Sequence, residues 1–154
     1  MRDQQRRGAK RLARTFLRKS CQGHMPSLSQ IFDSPRAVRK ALTTTDEFFR
    51  YCEFSSASLE GGNFDGVFVS CAFKNIEWYW GLFNLAILID CKFENCTFRG
   101  TLFSGCRIIE CSFKSCHFLR DNLNRACEAV EASVYGCSAE DCQGFHALFA
   151  KHVP

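Results

Sequence analysis

The residues of this 154-residue chain best able to do chemistry are its 11 cysteines and 4 histidines. Three kinds of chemistry would use them: a zinc centre, a set of disulfides, or a thiolate nucleophile. Structural zinc wants C-x2-C pairs whose four ligands converge tetrahedrally. Here the spacings are C-x4-C, as in Cys91 to Cys96, and C-x19-C, as in Cys71 to Cys91 to Cys111. His24, His117, His146 and His152 have no ligand spacing, and no H-E-x-x-H, G-x-S-x-G, C-x-x-C or Gly-rich phosphate loop occurs. The carboxylates are scattered, with no pair set in apolar surroundings that would split their pKa values. No catalytic residue, metal site or cofactor is expected, and an enzyme is not the reading.

The elements that would carry these residues begin to show in the charge. Net charge is +4, yet residues 1–50 hold twelve Lys and Arg against four acids, while residues 51–154 hold eight against twelve. A basic arm attached to a mildly acidic body is the pattern. With 46% hydrophobic residues, 3 Pro and 10 Gly, the composition is that of one folded unit. The most apolar stretch, residues 78–89, is broken by Gly81 and Asn84, too short a run to span a membrane as a helix.

The 16 Phe, against 3 Tyr and 2 Trp, are positional. Written in fives, residues 52–124 read CEFSS, ASLEG, GNFDG, then after a one-residue contraction GVFVS, CAFKN, IEWYW, GLFNL, AILID, CKFEN, CTFRG, TLFSG, CRIIE, CSFKS, CHFLR, DNLNR. The centre is large and apolar, and the position two before it is small. A helix would repeat its apolar face every 3.6 residues and a half-buried strand every 2, so neither fits. These fifteen units resemble the pentapeptide-repeat family, whose unit is often written A(D/N)LXX. The resemblance implies an all-β solenoid, a right-handed quadrilateral β-helix with four units per coil, here of about four coils over residues 51–124. Residues 1–50 would form a basic, partly helical cap, and residues 125–154 a final irregular coil or a helical cap.

Aligned one coil apart, the centres form the columns Phe54/Phe73/Phe93/Phe113, Leu59/Trp78/Phe98/Phe118, Phe64/Phe83/Phe103/Leu123 and Phe68/Leu88/Ile108, and the small positions form Cys52/Cys71/Cys91/Cys111. Rungs about 4.8 Å apart would bury each column as a core ladder. Stacked thiols at that spacing exceed the usual Cβ separation of about 3.8 Å for a disulfide. They read as compact hydrophobes, with burial raising rather than lowering their pKa. Free thiols imply a reducing, cytoplasmic compartment. Trp78 is wide for the interior, and its rung is expected to bulge.

Outward positions are mostly polar, with one exception. Val67, Val69, Ile87, Ile89 and Ile109 flank one column of centres, with Tyr79 and Trp80 nearby, and so apolar a run must be covered. The chain's own N-terminal segment, a second copy or a different protein would do so, and these seven residues are the candidate partner-binding set. In residues 9–17 an apolar stripe (Ala9, Leu12, Ala13, Phe16, Leu17) lies among basic residues. It reads as a targeting signal, a membrane-surface helix, a phosphate-binding arm using Arg6, Arg7, Arg11 and Arg14, or a cap. Ser34-Pro35 would open a short helix with Val38 and Leu42 facing in. Beyond Leu123, small residues recur every five after a one-residue insertion, yet 124–136 also suits a helix, with a capping box at 138–141 before another. Phe145, Leu148 and Phe149 would form a plug or a dimer contact.

Functionally, this describes a rigid, non-catalytic protein–protein interaction module, with a homodimer among the options. The family resemblance implies an alternative: some members imitate duplex DNA and bind bacterial type II topoisomerases such as gyrase. Against it, residues 51–124 carry only six basic and eight acidic residues, with Asp90/Glu110 the sole stacked acidic pair. A third option is that the basic arm binds nucleic acid or an anionic membrane.

Overall fold

The structure, a computed structural model, describes residues 25–45 and 47–154. The basic stripe of residues 9–17 and Arg6, Arg7, Arg11 and Arg14 lie outside the described residues.

The chain enters through strands β1 (Ser27–Leu28) and β2 (Ile31–Phe32), turns into helix α1 (Pro35–Thr43), and returns as β3 (Phe48–Arg50) and the long β4 (Glu53–Glu60). Next come β5 (Asn63–Phe64), β6 (Val67–Val69) and a second long strand, β7 (Ala72–Tyr79). Three-residue strands follow: β8 (Leu82–Asn84), β9 (Ile87–Ile89), β10 (Lys92–Glu94), β11 (Thr97–Arg99), β12 (Leu102–Ser104), β13 (Arg107–Ile109), β14 (Ser112–Lys114) and β15 (His117–Leu119). After a loop the chain forms β16 (Glu128–Val130), β17 (Ser133–Tyr135), β18 (Ser138–Glu140) and helix α2 (Phe145–Phe149).

Why five residues make one side of a turn is visible in the backbone. The last residue of each unit adopts the left-handed conformation: Ser70, Asn75, Leu85, Asp90, Asn95, Gly100, Gly105 and Glu110 all have φ between 51° and 62°. One such residue turns the chain to a new face, and for a side chain such as Leu85 or Glu110 the conformation is intrinsically unfavourable. Parallel pairing with the rungs above and below sustains it. Phe73 pairs with Phe93 and Phe93 with Phe113; likewise Trp78 with Phe98, Phe83 with Phe103, and Leu88 with Ile108. Each rung therefore gains its stability from its neighbours.

Four faces result. The first is a six-stranded sheet ordered β1-β3-β6-β9-β13-β17, and the face that precedes it along each turn, one corner away, is β5-β8-β12-β16. The remaining two faces merge into one sheet, because β4 and β7 each run eight residues across a corner. The aromatic centres stack along the tube. Ring centroids of Phe32, Phe54, Phe73, Phe93 and Phe113 follow one another at 4.9, 5.0, 4.7 and 4.7 Å, with planes within 11° of parallel. This is the spacing of a β ladder and close to that of favourable offset stacking.

Several expectations need correction. The solenoid has about five turns, not four, since β1 to β3 and β16 to β18 add rungs at both ends of residues 51–124. The first of these rungs is interrupted by α1, and the last is the final coil, one of the two readings of residues 125–154, with the small centres Ala129, Val134 and Ala139. Trp78 does not bulge. It is 0% exposed and lies over Phe98 at 4.8 Å, although its indole N–H has no hydrogen-bond partner. Leu123 is not a core residue: it is 64% exposed, and Phe103 pairs with Ala129 instead. Of the two readings of residues 125–154, the structure selects the further coil over 128–140, and the sequence that also suits a capping box at 138–141 is β18. The N-terminal helix does form. Ser34 Oγ accepts from the Ala37 N–H at 3.3 Å, Pro35 opens the helix, and Val38 and Leu42 are buried. Arg39 donates to the Glu60 carbonyl at 2.9 Å, closing part of the open end.

Candidate interaction faces and the interior thiols

The seven expected partner-binding residues separate into two groups. Val67, Val69, Ile87, Ile89 and Ile109 come together on the first face, where β6 pairs with β9 and β9 with β13. They stand in two rows either side of the buried centres Phe68, Leu88 and Ile108. One row continues through Phe48 at one end and Arg107 at the other, the second through Arg50 and Tyr135. Bordering the second row are Tyr51, Ser70, Asp90 and Glu110, with Ser70 donating to Asp90 at 2.8 Å. Leu85, 67% exposed at the corner before β9, extends the apolar surface and rests over Gly105, where a Cβ would come within 2.6 Å of it.

Tyr79 and Trp80 are not part of that face. Tyr79 ends β7 two corners away, Trp80 is the corner residue after it, and both hold a loop of their own chain. The Trp80 indole N–H donates to Asp121 Oδ2 at 2.7 Å, and the Asn122 N–H donates to the Tyr79 hydroxyl at 3.0 Å. Asp121 Oδ1 also accepts from the N–H groups of Leu123 and Arg125, both at 2.8 Å, and Arg125 Nε donates to Oδ2 at 3.1 Å. The side chain of Asp121 is 0% exposed. Burial pushes its pKa up, but hydrogen bonds from Arg125, Trp80 and Leu123 outweigh that and hold it below the usual carboxylate value. This clasp accommodates an insertion of six residues, not the single one expected: the spacing between stacked positions grows from 20 to 26 residues across it. The available signal was Asp121 followed by two residues whose N–H groups it caps, an Asx-type turn.

On the neighbouring face one outward column is mixed, with Glu53, Ala72, Lys92, Ser112 and Ser138, and the other is charged. Lys74, Glu94, Lys114 and Glu140 stand in one column, alternating in sign. Lys74 also reaches Glu53 at 3.4 Å, and Asn95 donates to Asn75 at 2.7 Å. His117 lies in line with Thr97 and Gln143.

The thiols line the inside. All ten described cysteines are free, and Cys52, Cys71, Cys91 and Cys111 form the expected buried column. They are more than fillers. The S–H of Cys91 donates to the Phe68 carbonyl at 3.4 Å, that of Cys96 to Phe73 at 3.3 Å and that of Cys106 to Phe83 at 3.1 Å; Thr101 does the same to Trp78 at 3.2 Å. A weak donor at the small position thus meets the carbonyl of a ring-bearing residue one turn away. Burial pushes Cys106 up to about 11. Cys91 is raised further, by hydrogen bonds shared with Cys111 and Cys71 and then by burial. Such thiols are poor nucleophiles. Among the described residues no three or more His, Cys, Asp and Glu are grouped to hold a metal ion, and no helix is long and apolar enough to cross a membrane.

Residues 86–118 match the family model described as pentapeptide repeats, in eight copies. No curated protein matches this sequence. Among solved structures, the pentapeptide repeat protein Rfr23 from the cyanobacterium Cyanothece 51142 is similar at 10% identity, with 77% of this chain and 83% of that one covered and a TM-score of 0.46. A trypsin-treated form of QnrB1, described as a plasmid-mediated fluoroquinolone resistance protein, is similar at 16% identity over 73% of this chain, with a TM-score of 0.45. This chain spans 58% of that QnrB1 chain. The likeness rests on the repeats and not on these overlays: residues 86–118 are pentapeptide repeats, and the five-residue units wind four to a turn into a parallel β-helix.

Proposed function

We propose that the protein is a non-catalytic interaction module whose binding surface is the first face, centred on Val67, Val69, Ile87, Ile89 and Ile109. The observation that carries this reading is the contrast between two faces of one tube. In the column just after the buried centres, one face holds Val69, Ile89 and Ile109 and the next holds Lys74, Glu94 and Lys114. The backbone does not demand the difference, and a flat apolar face in water invites a partner. Rigid faces keep the ordering penalty of association small, because little backbone has to be immobilised. Mimicry of duplex DNA is less well supported, because it needs a long stripe of negative charge and the charged column here alternates. The interior thiols suit a reducing compartment such as the cytoplasm.

The test is Ile89→Glu in the full chain, read with an apolar fluorescent dye such as bis-ANS. The variant should keep its far-ultraviolet dichroism, because residue 89 points out of the core, while dye binding falls several-fold. Unchanged dye binding would move the surface elsewhere.

A further inference from the structure

The apolar face carries a charge pattern that selects its occupant. Along the row Arg50, Val69, Ile89, Ile109 the cation stands at one end, while the bordering acids Asp90 and Glu110 stand toward the other. Along the row Phe48, Val67, Ile87, Arg107 a half-buried ring at one end is balanced by a guanidinium at the other.

We propose that the face binds a second copy of this chain, antiparallel, about a two-fold axis that runs along the strand direction between β6 and β9; this rests on the first face being the binding surface. Rotation about that axis keeps each row opposite itself and inverts the strand order, so β6 meets β9 and β3 meets β13. Val67 then packs on Ile87 and Val69 on Ile89. Arg107 lies over Phe48, a cation–π contact. Arg50 meets Ile109 beside Glu110, and Tyr51 faces Glu110. Arg50 is already turned to that border: it donates to the Tyr51 hydroxyl at 3.0 Å and sits 4.8 Å from the ring centroid. Each contact occurs twice, as an isologous interface requires. The other two-fold arrangement, with the axis along the tube, sets Arg50 against Phe48, Arg107 against Ile109, and the acids against Leu85 and Gly105. It offers no charge a partner.

Six strands about 4.8 Å apart and three residues wide at about 3.3 Å each give roughly 300 Å² of face, before the corners. A standard interface buries about 800 Å² per partner. The dimer is therefore weak and concentration-dependent.

Sedimentation velocity of the full chain over a concentration series at low salt tests this. A reversible dimer is expected, weakened about tenfold or more by Arg50→Glu and by Glu110→Arg singly. The Arg50→Glu/Glu110→Arg double variant should regain association to within about threefold of the parent, because in this register each reversed charge meets a reversed charge. Both positions are exposed, so folding is not at stake. A monomer at every concentration, single swaps without effect, or a double variant that stays dissociated would each overturn the proposal. A monomer that binds bis-ANS, and loses it on Ile89→Glu, removes the second copy but leaves the first face as the binding surface; a monomer that binds no dye removes both.

Discussion

The middle turns and the last turn of this tube solve one problem differently. Between Cys71 and Phe118 every turn fills its own cross-section, with Phe or Trp at most centres and, two residues before, Cys, Ala or Gly everywhere but at Ile76 and Thr101. In the last turn the centres shrink to Ala129, Val134 and Ala139, which pair with Phe103, Ile108 and Phe113. The missing volume arrives from outside the repeat. Phe145 of α2 stands 4.9 Å from Phe113, and Phe149 packs against Phe103 and Phe118 at 5.4 and 5.9 Å. Gly144 makes the entry possible: its φ is 84°, and a Cβ there would lie 2.6 Å from the Phe118 carbonyl oxygen. A repeat that kept its large centres would leave an open apolar end with nothing to stop further stacking. Small centres create a socket, and a short helix plugs it.

The contrast can be broken most sharply in the middle. Phe93 is stacked on both sides at 4.7 Å, so Phe93→Ala should leave a cavity that neither neighbour can fill, lowering stability by about 3–5 kcal/mol in chemical denaturation. Phe149→Ala, at the plug, should lose less, about 2–3 kcal/mol, because the end of the tube can relax and admit water. Protection of β16 to β18 amides should fall with it, while that of β9 to β11 holds. Equal losses at both sites would mean that the plug is as integral as a rung.

A smaller effect is expected at the corner supporting the apolar face. Gly105→Ala combines φ of 62° with a Cβ 2.6 Å from Leu85, and should reduce stability by about 1–2 kcal/mol. The clasp sharpens the comparison through pH. Because the folded pKa of Asp121 is depressed below 3.8, its contribution is complete above that value and is lost as pH falls through the folded pKa. The melting temperature of Asp121→Asn should sit below the parent by a constant margin near neutral pH, and the margin should shrink below about pH 4. A margin indifferent to acid would mean that shape, not charge, holds the loop. Least of all, Cys106→Ala should change stability by under about 1.5 kcal/mol, since it removes one weak donor and a small volume. In the parent Cys106, held at about 11, should resist alkylation at pH 8 without denaturant.

The legible part of the fold was the part that repeats. From Phe54 to Phe118 the period of five placed the columns in their true register, because each residue meets its own kind one turn away and local pattern and tertiary contact coincide. The N-cap at Ser34 was equally local. The apolar group at Val67, Val69, Ile87, Ile89 and Ile109 followed from the same register. Tyr79 and Trp80 did not, because their partners, Asn122 and Asp121, lie more than 40 residues away across an insertion with no periodicity.

What the residues determined, then, is the period of large and small side chains every five residues, and through its resemblance to pentapeptide repeats the tube that buries each residue on its own next turn. What only the tertiary structure decided is where that period stops mattering. Ala129 and Ala139 are strand centres because Phe145 and Phe149 complete their turn, and Asp121 is a buried clasp because Trp80 and Tyr79 stand where the inserted loop crosses them. Both are contacts between segments that share no repeat, so no spacing along the chain announces them; they exist only once the coils have set those segments side by side.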